Sequence, residues 1–500
     1  MSLADVAAVG RGEQVSLPQE AKDRMRASRE VVERIVRAGE TAYGITTGFG
    51  SLATVFIEPA DATELQARIV ASHATSVGDP LSHEETRAML VLRAHVLALG
   101  YSGVRVEIVD RMVEMLNRDL VPVVPQQGSL GASGDLAPLA RLALPLIGGG
   151  ELWEGGRRVP ASEALARAGL EPLTLAAKEG LALVNGTQGM LAVGILAAQR
   201  AANLATCADI VAAMSIEALM GTDAPFDERL QALRPHPGQA RSAENLRALM
   251  RGSQIVASHR DSAHLVQDAY SLRCAPQVHG ATRDTLSHAQ EVLGIEANSV
   301  SDNPIVFAES GEVLSGGNFH GQPVAIVLDA LAASTVSLAG ISERRLFRML
   351  DPRLNNDLPA FLVADSGLNS GFMLVQYTAA SLVSEAKTLA HPASVDSISS
   401  SAGQEDHVSM GMTAARHARD CVAIAEQVLA LELLAAAQAL DLRAPVRPGV
   451  GSAAALEAVR GRVAFLDVDR ELASDIDAAL ELVSSGDLVA RVCGATVPLN

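Results

Sequence analysis

Four long apolar stretches constrain the fold of this 500-residue chain more than any other feature. They are rich in Ala and Leu and cover residues 189–219, 322–350, 372–390 and 412–440. Each exceeds the ordinary helix length of about 11–12 residues, so they predict long helices packed as a buried bundle. Aromatic residues make up only 3% of the chain, so Ala, Leu, Val and Ile must fill the core. Because so much apolar helix needs covering, we expect an oligomer rather than a monomer with a large helical core.

The charge balance argues against several classes of partner. A net charge of −18 and a pI near 5.1 disfavour non-specific binding to nucleic acid or to an anionic membrane. Charged residues such as Arg200, Asp209 and Asp329 interrupt the apolar stretches, so none is predicted to span a membrane. The first residues lack the pattern of a secretion signal, and the four cysteines are widely spaced without a CxxC pair. We therefore expect a cytoplasmic location, with neither a disulfide framework nor a metal site.

The amino-terminal part of the chain has a different pattern from the rest. Helices are predicted over residues 18–38, 61–75, 84–98 and 105–117, and residues 148–161 are typical of a small hairpin. We therefore divide the chain into a mixed region at 1–195 and a long-helix region at 196–500. The expected fold class is mainly α. The loops that interrupt the helices carry the residues with chemical potential.

The stretch GSLGASGDLAPLA, residues 128–140, is the most informative loop, and three familiar interpretations fit it poorly. It nearly matches a GxSxG nucleophile elbow, but Asp135 replaces the last glycine and the preceding VPVVPQQ is a poor central strand. No GK[ST] follows, which disfavours a phosphate loop. Lys178 is the only plausible lysine for pyridoxal chemistry, but no phosphate site accompanies it. The histidines show no metal-binding spacing.

Chemistry on the backbone itself is a further interpretation of this loop. If the loop is compressed, the Gly134 nitrogen can attack the Ala132 carbonyl carbon, because glycine lacks a Cβ. Loss of one water closes a five-membered ring, and loss of the Ser133 hydroxyl as a second water leaves an exocyclic methylene. The product is a methylidene-imidazolone, an electrophile made from the chain alone. A helix is predicted to start near Leu136, and its positive end would enhance electron withdrawal. An ordinary tight turn is the alternative for a bare Ala-Ser-Gly.

The loop and its surroundings resemble the aromatic amino acid ammonia-lyase family. Further blocks similar to family motifs follow in family order, from about residue 40 to 445: YGITTGFG, KEGLALVNGTQ, QDAYSLRCAPQVHGA, SDNPIVF, SGGNFHGQPVA, SERR, GLNSGFM and AHPASVDSISSSAGQEDHVSM. The resemblance implies a mostly α-helical homotetramer with active sites shared between subunits. It also implies that Ala132, Ser133 and Gly134 form the methylidene-imidazolone cofactor, abbreviated MIO, with no external cofactor.

The family's reaction expels an amine and removes a β-proton, and the resemblance assigns residues to both steps. The electrophile bonds to the substrate amine and makes it a better leaving group. Tyr43, in YGITTGFG, matches the family's catalytic tyrosine and is the expected base, given a neighbouring group that favours its ionised form. Arg273, in YSLRC, is expected to hold the substrate carboxylate through a bidentate pair. Tyr270 and Gln267 are expected to line the same pocket, Tyr270 in a catalytic role.

Four more residues take roles by the same resemblance. Asn185, in VNGTQ, matches a residue near both substrate and cofactor, and Phe319, in GGNFHG, is expected to press on the cyclising loop. His73 is expected near the ring of the substrate. Glu405 is expected to contact that ring or the amine as a catalytic residue. Each has a structural alternative: a turn asparagine, a core phenylalanine, a helix histidine, and an ion pair within the EDH cluster.

Two pocket positions favour L-histidine as the substrate, converted to trans-urocanate and ammonia. Ser72-His73 stands where phenylalanine and tyrosine lyases typically carry an apolar or His-Leu pair, and Glu405 stands where they usually have Gln. Imidazole offers two nitrogens that need partners, whereas a buried carboxylate against a phenyl ring would be unpaired. Two residues disagree with this choice of substrate. Thr46 stands where histidine lyases usually have Asn and phenylalanine lyases have Thr, and Gly403 stands where Asn is commoner. A lyase or 2,3-aminomutase for phenylalanine or tyrosine therefore stays open, as does an inactive helical scaffold.

Overall fold

A computed structural model describes residues 1–50, 54–58, 61–262, 266–495 and 498–499. Within these residues the protein is mainly α-helical, which confirms the predicted fold class. The α-helices are α1 Leu3–Gly10, α2 Gln19–Ala38, α3 Ala62–His73, α4 His83–Ala98, α5 Val106–Asn117, α6 Leu136–Ala143, α7 Ala161–Arg167, α8 Glu179–Val184, α9 Gln188–Ala218, α10 Glu228–Ala232, α11 Pro237–Leu249, α12 Gln254–Ser258, α13 Tyr270–Arg273, α14 Ala275–Glu296, α15 Gln322–Leu350, α16 Met373–Leu389, α17 Gly411–Leu442, α18 Val450–Arg460, α19 Ala473–Ser484 and α20 Asp487–Ala495.

The strands are short: β1 Val77–Pro80, β2 Val121–Pro122, β3 Pro125–Gln127, β4 Glu151–Glu154, β5 Arg157–Pro160, β6 Ile305–Phe307 and β7 Glu312–Leu314. All pairings among them are antiparallel: β1 with β3, β2 with β4, β4 with β5, and β6 with β7. The β4–β5 hairpin turns at Gly155 and Gly156 and confirms the hairpin predicted at residues 148–161.

The helix predictions are confirmed to within two residues at each end. The four long stretches form α9, α15, α16 and α17, and the four predicted helices of the first region form α2 to α5. By length and composition alone, α9 and α15 are apolar enough to cross a membrane. In each, most of the apolar window is buried inside the protein, 72% in α9 and 61% in α15, as it is in core helices of soluble proteins.

The chain packs as two compact units, each assembled from three segments. The first unit comprises Met1–Leu196, Gln290–Asp329 and Pro392–Arg416, and the second comprises Ala197–Ala289, Ala330–His391 and His417–Asn500. The described strands all lie in the first unit. Both units combine segments that are distant in sequence. The division into residues 1–195 and 196–500 therefore stays a prediction.

A small apolar cluster in the first unit positions the loop that carries Tyr43. Val31, Val32 and Ile35 on α2 pack with Ile45 of that loop and Val306 of β6, and all five side chains are buried. The hydrophobic i, i+4 spacing of α2 presents these residues on one face. The Tyr43 loop is therefore anchored by Ile45 to the core of the unit.

A buried carboxylate joins three long helices in the second unit. Glu432 on α17 receives a two-pronged ion pair from Arg345 on α15, at 2.5 Å and 2.9 Å. The hydroxyls of Ser342 on α15 and Ser215 on α9 donate to the same carboxylate, each at 2.6 Å. All the hydrogen-bonding capacity of this buried ion is thus used, which is the condition for a buried charge to be tolerated.

Asp209 on α9 forms a second buried network in the same unit. It accepts hydrogen bonds from His279 Nδ1, Ser242 Oγ, Asn245 Nδ2 and Arg283 Nη2 at 2.6–2.9 Å. Burial alone would raise the pKa of Asp209, but Arg283 and His279 bring it down to about 2. The carboxylate therefore stays ionised and ties α9 to α11 and α14.

Removal of the Arg345 cation should strongly destabilise the second unit. We expect Arg345→Met to lower the free energy of unfolding by about 3–5 kcal/mol, because Glu432 is left as an uncompensated buried charge. Urea unfolding followed by circular dichroism measures the loss. The double variant R345M/E432L should recover part of it, and Arg68→Ala, which removes an exposed ion pair with Glu64, is the control. An unchanged midpoint in R345M would contradict this assignment.

Candidate active site

Residues 132–134, which are expected to cyclise and are here named the cyclisation loop, make a tight left-handed bend directly before α6. Ser133 has φ +50° and Gly134 has φ +78°, values in the left-handed region. Gly131 and Gly134 face each other in an antiparallel backbone bridge, which closes the loop on itself. Helix α6 begins at Leu136, so the predicted helix start is confirmed.

Gly186, in the turn between α8 and α9, presses on this loop from one side. Its N–H donates to the Ser133 carbonyl at 3.1 Å, and its carbonyl accepts from the Asp135 N–H at 2.7 Å. A Cβ built on Gly134 would lie 2.0 Å from the Gly186 oxygen, a distance that real Cβ atoms do not adopt. Gly134 is therefore required both by its positive φ and by the close approach of Gly186.

Asp135 connects the cyclisation loop to the start of α9. Its carboxylate accepts from Ser129 Oγ and from the backbone N–H of Met190, both at 2.7 Å. The side chain is fully buried, and burial raises the pKa of Asp135 to about 6 against the opposing effect of these donors. An acidic side chain at the first turn of a long helix is also stabilised by the helix dipole.

The Asn185 side chain is held by a buried charge pair. Asn185 Nδ2 donates to Asp302 Oδ1 at 3.2 Å and to the Asn303 carbonyl at 2.9 Å, and Lys178 Nζ lies 2.8 Å from Asp302 Oδ2. Burial lowers the pKa of Lys178, and although burial alone would raise the pKa of Asp302, Lys178 and Arg93 hold it below its usual range. Asn185 Oδ1 is buried and has no hydrogen-bond partner among the described residues. The side chain is thus fixed with one free acceptor.

The Tyr43 loop lies against the same region. Gly44 is so close to α8 and to the 303–304 peptide that a Cβ on it would lie 2.7 Å from Leu181 Cδ2 and 3.2 Å from Pro304 Cδ. Tyr43 is half-buried, and its hydroxyl oxygen accepts from the Gly50 N–H at 3.2 Å. The Tyr43 loop therefore packs on α8, the helix that leads directly into the Asn185 turn.

The Thr46 hydroxyl is committed to the backbone of its own loop. It donates to the Glu40 carbonyl at 2.7 Å and accepts from the Ala42 N–H at 2.9 Å, and the residue is buried. Residue 46 therefore shapes the loop that presents Tyr43, and its identity bears on substrate choice only through that loop.

Glu405 closes a small turn that adjoins the Tyr43 loop. Its carboxylate accepts from Ser400 Oγ at 3.0 Å, and its carbonyl accepts from the Ser400 N–H at 2.9 Å. A Cβ on Gly50 would lie 3.1 Å from Ser401 Oγ. Further along, the Met410 N–H donates to the Leu130 carbonyl at 3.2 Å, which ties this segment to the stretch before the cyclisation loop.

His73 and Phe319 are the two remaining predicted site residues of the first unit. His73 is half-buried at the last position of α3, with its Nδ1 3.1 Å from Ser72 Oγ. Phe319 is half-buried, and the ring of the following residue, His320, stacks on that of His407, with centroids 5.9 Å apart. The expected pressure of Phe319 on the cyclisation loop stays a prediction.

Arg273 contacts both Gln267 and Tyr270 in the second unit. The Arg273 guanidinium lies over the Tyr270 ring, 4.5 Å from its centroid, and Arg273 Nε donates to the Asp268 carbonyl at 2.9 Å. With the Gln267 amide oxygen turned toward Arg273, that oxygen accepts from Nη1 at 2.9 Å and from Nη2 at 3.1 Å. The two terminal nitrogens therefore already converge on one oxygen.

Three residues in this region have no role in the sequence argument: Arg93, Asp135 and Asp302. Arg93 interrupts the apolar run MLVLRAHVLALG of α4, and a charge inside such a run is a signal that could have marked it. Asp135 and Asp302 lie inside the quoted motifs, but nothing in the motif shows which neighbours they bind. Among the residues that the structure describes, no group of three or more His, Cys, Asp or Glu is placed to hold a metal ion.

Comparison with known proteins gives one consistent family. A family model described as aromatic amino acid lyase matches residues 1–461. The histidine ammonia-lyase of Myxococcus xanthus (strain DK1622) is 53% identical over 497 residues, covering 99% of this chain and 97% of the relative. That of Sorangium cellulosum (strain So ce56) is 55% identical over 509 residues, covering 100% and 99%.

Solved structures of the same type superpose closely on this chain. Tyrosine aminomutase from Streptomyces globisporus has a TM-score of 0.95 and 40% identity, covering 100% of this chain and 98% of its own. Histidine ammonia-lyase from Trypanosoma cruzi has a TM-score of 0.91 and 43% identity, covering 99% and 94%. Enzymes named for different reactions therefore share this fold.

The raised pKa of Asp135 predicts a specific pH dependence. The folded protein binds this proton more tightly than the unfolded chain, so the stabilising effect is complete below pH 3.8 and is lost as the pH rises through about 6. Asp135→Asn removes the titration. Its stability relative to the wild type should therefore improve as the pH rises from 3.8 to about 6, as measured by urea unfolding across that range.

The exposed Asp79→Asn variant is the control for this pH series. A difference between D135N and the wild type that does not change with pH would show that the Asp135 carboxyl is not perturbed in the folded protein.

Proposed function

The chain belongs to the aromatic amino acid lyase family, and we propose on that basis that it removes ammonia from L-histidine to give trans-urocanate. The observation that carries the proposal is the compressed cyclisation loop, packed against Gly186 beside Asn185, in a chain more than half identical to histidine ammonia-lyases. The reaction is a carbon–nitrogen elimination. A cytoplasmic homotetramer whose subunits share active sites belongs to the same proposal.

Ala132, Ser133 and Gly134 are proposed to form the MIO group. The residues present fit it: Ser133 and Gly134 are left-handed, Gly186 leaves no room for a side chain at 134, and Asn185 Oδ1 is a buried acceptor without a partner among the described residues. When formed, MIO supplies an electrophilic carbon for the substrate amine.

Side chains of the first unit are proposed to orient the substrate and move its proton. Tyr43 Oη takes the β-proton, and the hydrogen bond from the Gly50 N–H holds this oxygen in position. Asn185 lies near both the substrate and the cofactor, with its side chain held beside the cyclisation loop. His73 and Glu405 bind the imidazole nitrogens, since each offers a polar atom that a phenyl ring could not use. Phe319 supports the cyclisation loop.

The substrate carboxylate is proposed to bind Arg273. The guanidinium edge that carries Nη1 and Nη2 already faces an oxygen acceptor, and a carboxylate could give each of these nitrogens its own oxygen in a bidentate pair. The carboxylate would replace the Gln267 oxygen. Tyr270 keeps the guanidinium in place by stacking against it.

Tyrosine aminomutation is the second candidate, because tyrosine aminomutase shares this fold at 40% identity. The presence of Thr46 is weak support for this alternative, because its hydroxyl is committed to the backbone of its own loop. An inactive scaffold would not need the cyclisation loop, Tyr43 and Arg273 together.

A substrate comparison tests the proposed reaction. We expect the ultraviolet absorbance of a conjugated acid to rise with L-histidine and to stay flat with L-phenylalanine and L-tyrosine. Chromatography for β-tyrosine in the tyrosine reaction detects aminomutation. A rise with L-tyrosine or L-phenylalanine alone would overturn the choice of histidine, and no reaction with any of the three would favour a scaffold.

The Ser133 hydroxyl is required for the second dehydration, so Ser133→Ala should fold and assemble without forming the electrophile. Intact-mass spectrometry should find wild-type chains lighter than their sequence by two water molecules, and S133A chains without that deficit. Ser310→Ala, which removes an exposed hydroxyl between β6 and β7, should keep it. Full activity in S133A would refute the proposed cofactor.

A further inference from the structure

Arg93 is a buried cation with an unusual hydrogen-bonding pattern. It lies on α4 with no exposed surface, and its Nη1 donates to the Asn185 carbonyl at 2.8 Å and to Gln188 Oε1 at 2.6 Å. Its Nε and Nη2 are buried and have no hydrogen-bond partner among the described residues. Burial lowers the pKa of Arg93 to about 10, against the opposing charge of Asp302. A buried cation with idle donors is costly, so its presence needs an explanation.

One nitrogen of Arg93 joins both ends of the turn at residues 185–188. Gln188 is fixed in turn, because its Nε2 donates to Ser301 Oγ at 2.7 Å. A Cβ built on Gly186 would lie 2.5 Å from Arg93 Nη1. The guanidinium therefore packs directly against one side of Gly186. Gly186 cannot move closer to it.

The other side of Gly186 faces the cyclisation loop. Its N–H and carbonyl bond to Ser133 and Asp135, and its carbonyl occupies the space where a Gly134 side chain would be. Gly186 is thus held between the Arg93 guanidinium and the peptide that joins Ser133 to Gly134. Any retreat of the turn toward α4 would relax the loop, and Arg93 fills the space into which it would retreat.

We propose that Arg93 is a positioning residue for ring closure, which holds the 185–188 turn against Ser133 and Gly134 so that the Gly134 nitrogen stays within reach of the Ala132 carbonyl. The proposal rests on the proposed MIO cofactor. It concerns how the chain makes that group, and Arg93 has no part in binding the substrate.

The bond changes require no oxidant or external reagent. A bond forms between the Gly134 nitrogen and the Ala132 carbonyl carbon, and the carbonyl oxygen leaves as water with the protons of the Gly134 and Ser133 nitrogens. The bond from this carbon to the Ser133 nitrogen becomes double. The Ser133 Cα–H and Cβ–Oγ bonds then break to release a second water. The Gly186 N–H polarises the Ser133 carbonyl, which acidifies both the Gly134 N–H and the Ser133 Cα–H.

Arg87 lies earlier on the same helix, α4, and provides a matched comparison. It is equally buried, and it donates to the Val9 and Leu116 carbonyls at 2.9 Å and to Asp119 Oδ1 at 2.8 Å. These bonds join α4 to α1 and to the end of α5, and none reaches the 185–188 turn. Loss of Arg87 should therefore destabilise the unit without affecting ring closure.

The test compares Arg93→Met with Arg87→Met in the full-length chain. Each protein is made by cell-free synthesis and sampled over time for intact mass, with circular dichroism and size-exclusion chromatography to establish folding and assembly. We expect R87M to lose two water molecules as fast as the wild type, and R93M to lose them about tenfold more slowly or to remain uncyclised, because small misplacements of reacting groups cost large rate factors.

The outcomes separate this proposal from the one it rests on. A wild-type chain without the mass deficit would refute the cofactor itself. A folded R93M that cyclises at the wild-type rate would overturn the role of Arg93. If R93M does not fold, Gln188→Met decides, because it keeps the cation but removes one end of the bridge. Slower cyclisation in Q188M supports the proposal, and a wild-type rate refutes it.

Discussion

The close approach of Gly134 to Gly186 is the constraint on which the proposed active site depends. Because Gly134 has no side chain, its backbone meets that of Gly186 at a distance that a single methyl group on Gly134 would prevent. Two hydrogen bonds hold them there, one to the Ser133 carbonyl and one from the Asp135 N–H. The left-handed bend of the cyclisation loop, the start of α6 and the position of Asn185 all follow from this meeting of two turns.

Buried charges surround this point of contact, and their arrangement explains how the segments beside it are oriented. Lys178 and Asp302 hold the Asn185 side chain, Asp135 binds the first turn of α9, and Arg93 backs the turn that carries Gly186. Buried ion pairs contribute little net stability, because desolvation offsets their attraction. Their value here is orientation, since each fixes a polar group or a backbone segment beside the cyclisation loop.

Sequence patterns predict the helices well, for a physical reason. The long helices are local: Ala- and Leu-rich runs with polar interruptions have the same preference wherever they lie, and α9, α15, α16 and α17 begin and end within two residues of expectation. Arg93 and Asp302 were missed because their importance lies in partners nearly a hundred or more residues away, to which no local pattern refers.

The sequence by itself determined the mainly α fold, the small residues of the cyclisation loop and the set of polar residues to which the proposed chemistry is assigned. Only the tertiary structure decided which of them meet. It packs the Tyr43 loop on α8 next to the Asn185 turn, commits the Thr46 hydroxyl to its own loop, and leaves Asn185 Oδ1 without a partner among the described residues. The physical reason is that hydrogen bonds and close packing depend on distances between segments remote in sequence, whereas periodicity and composition report only on neighbours along the chain.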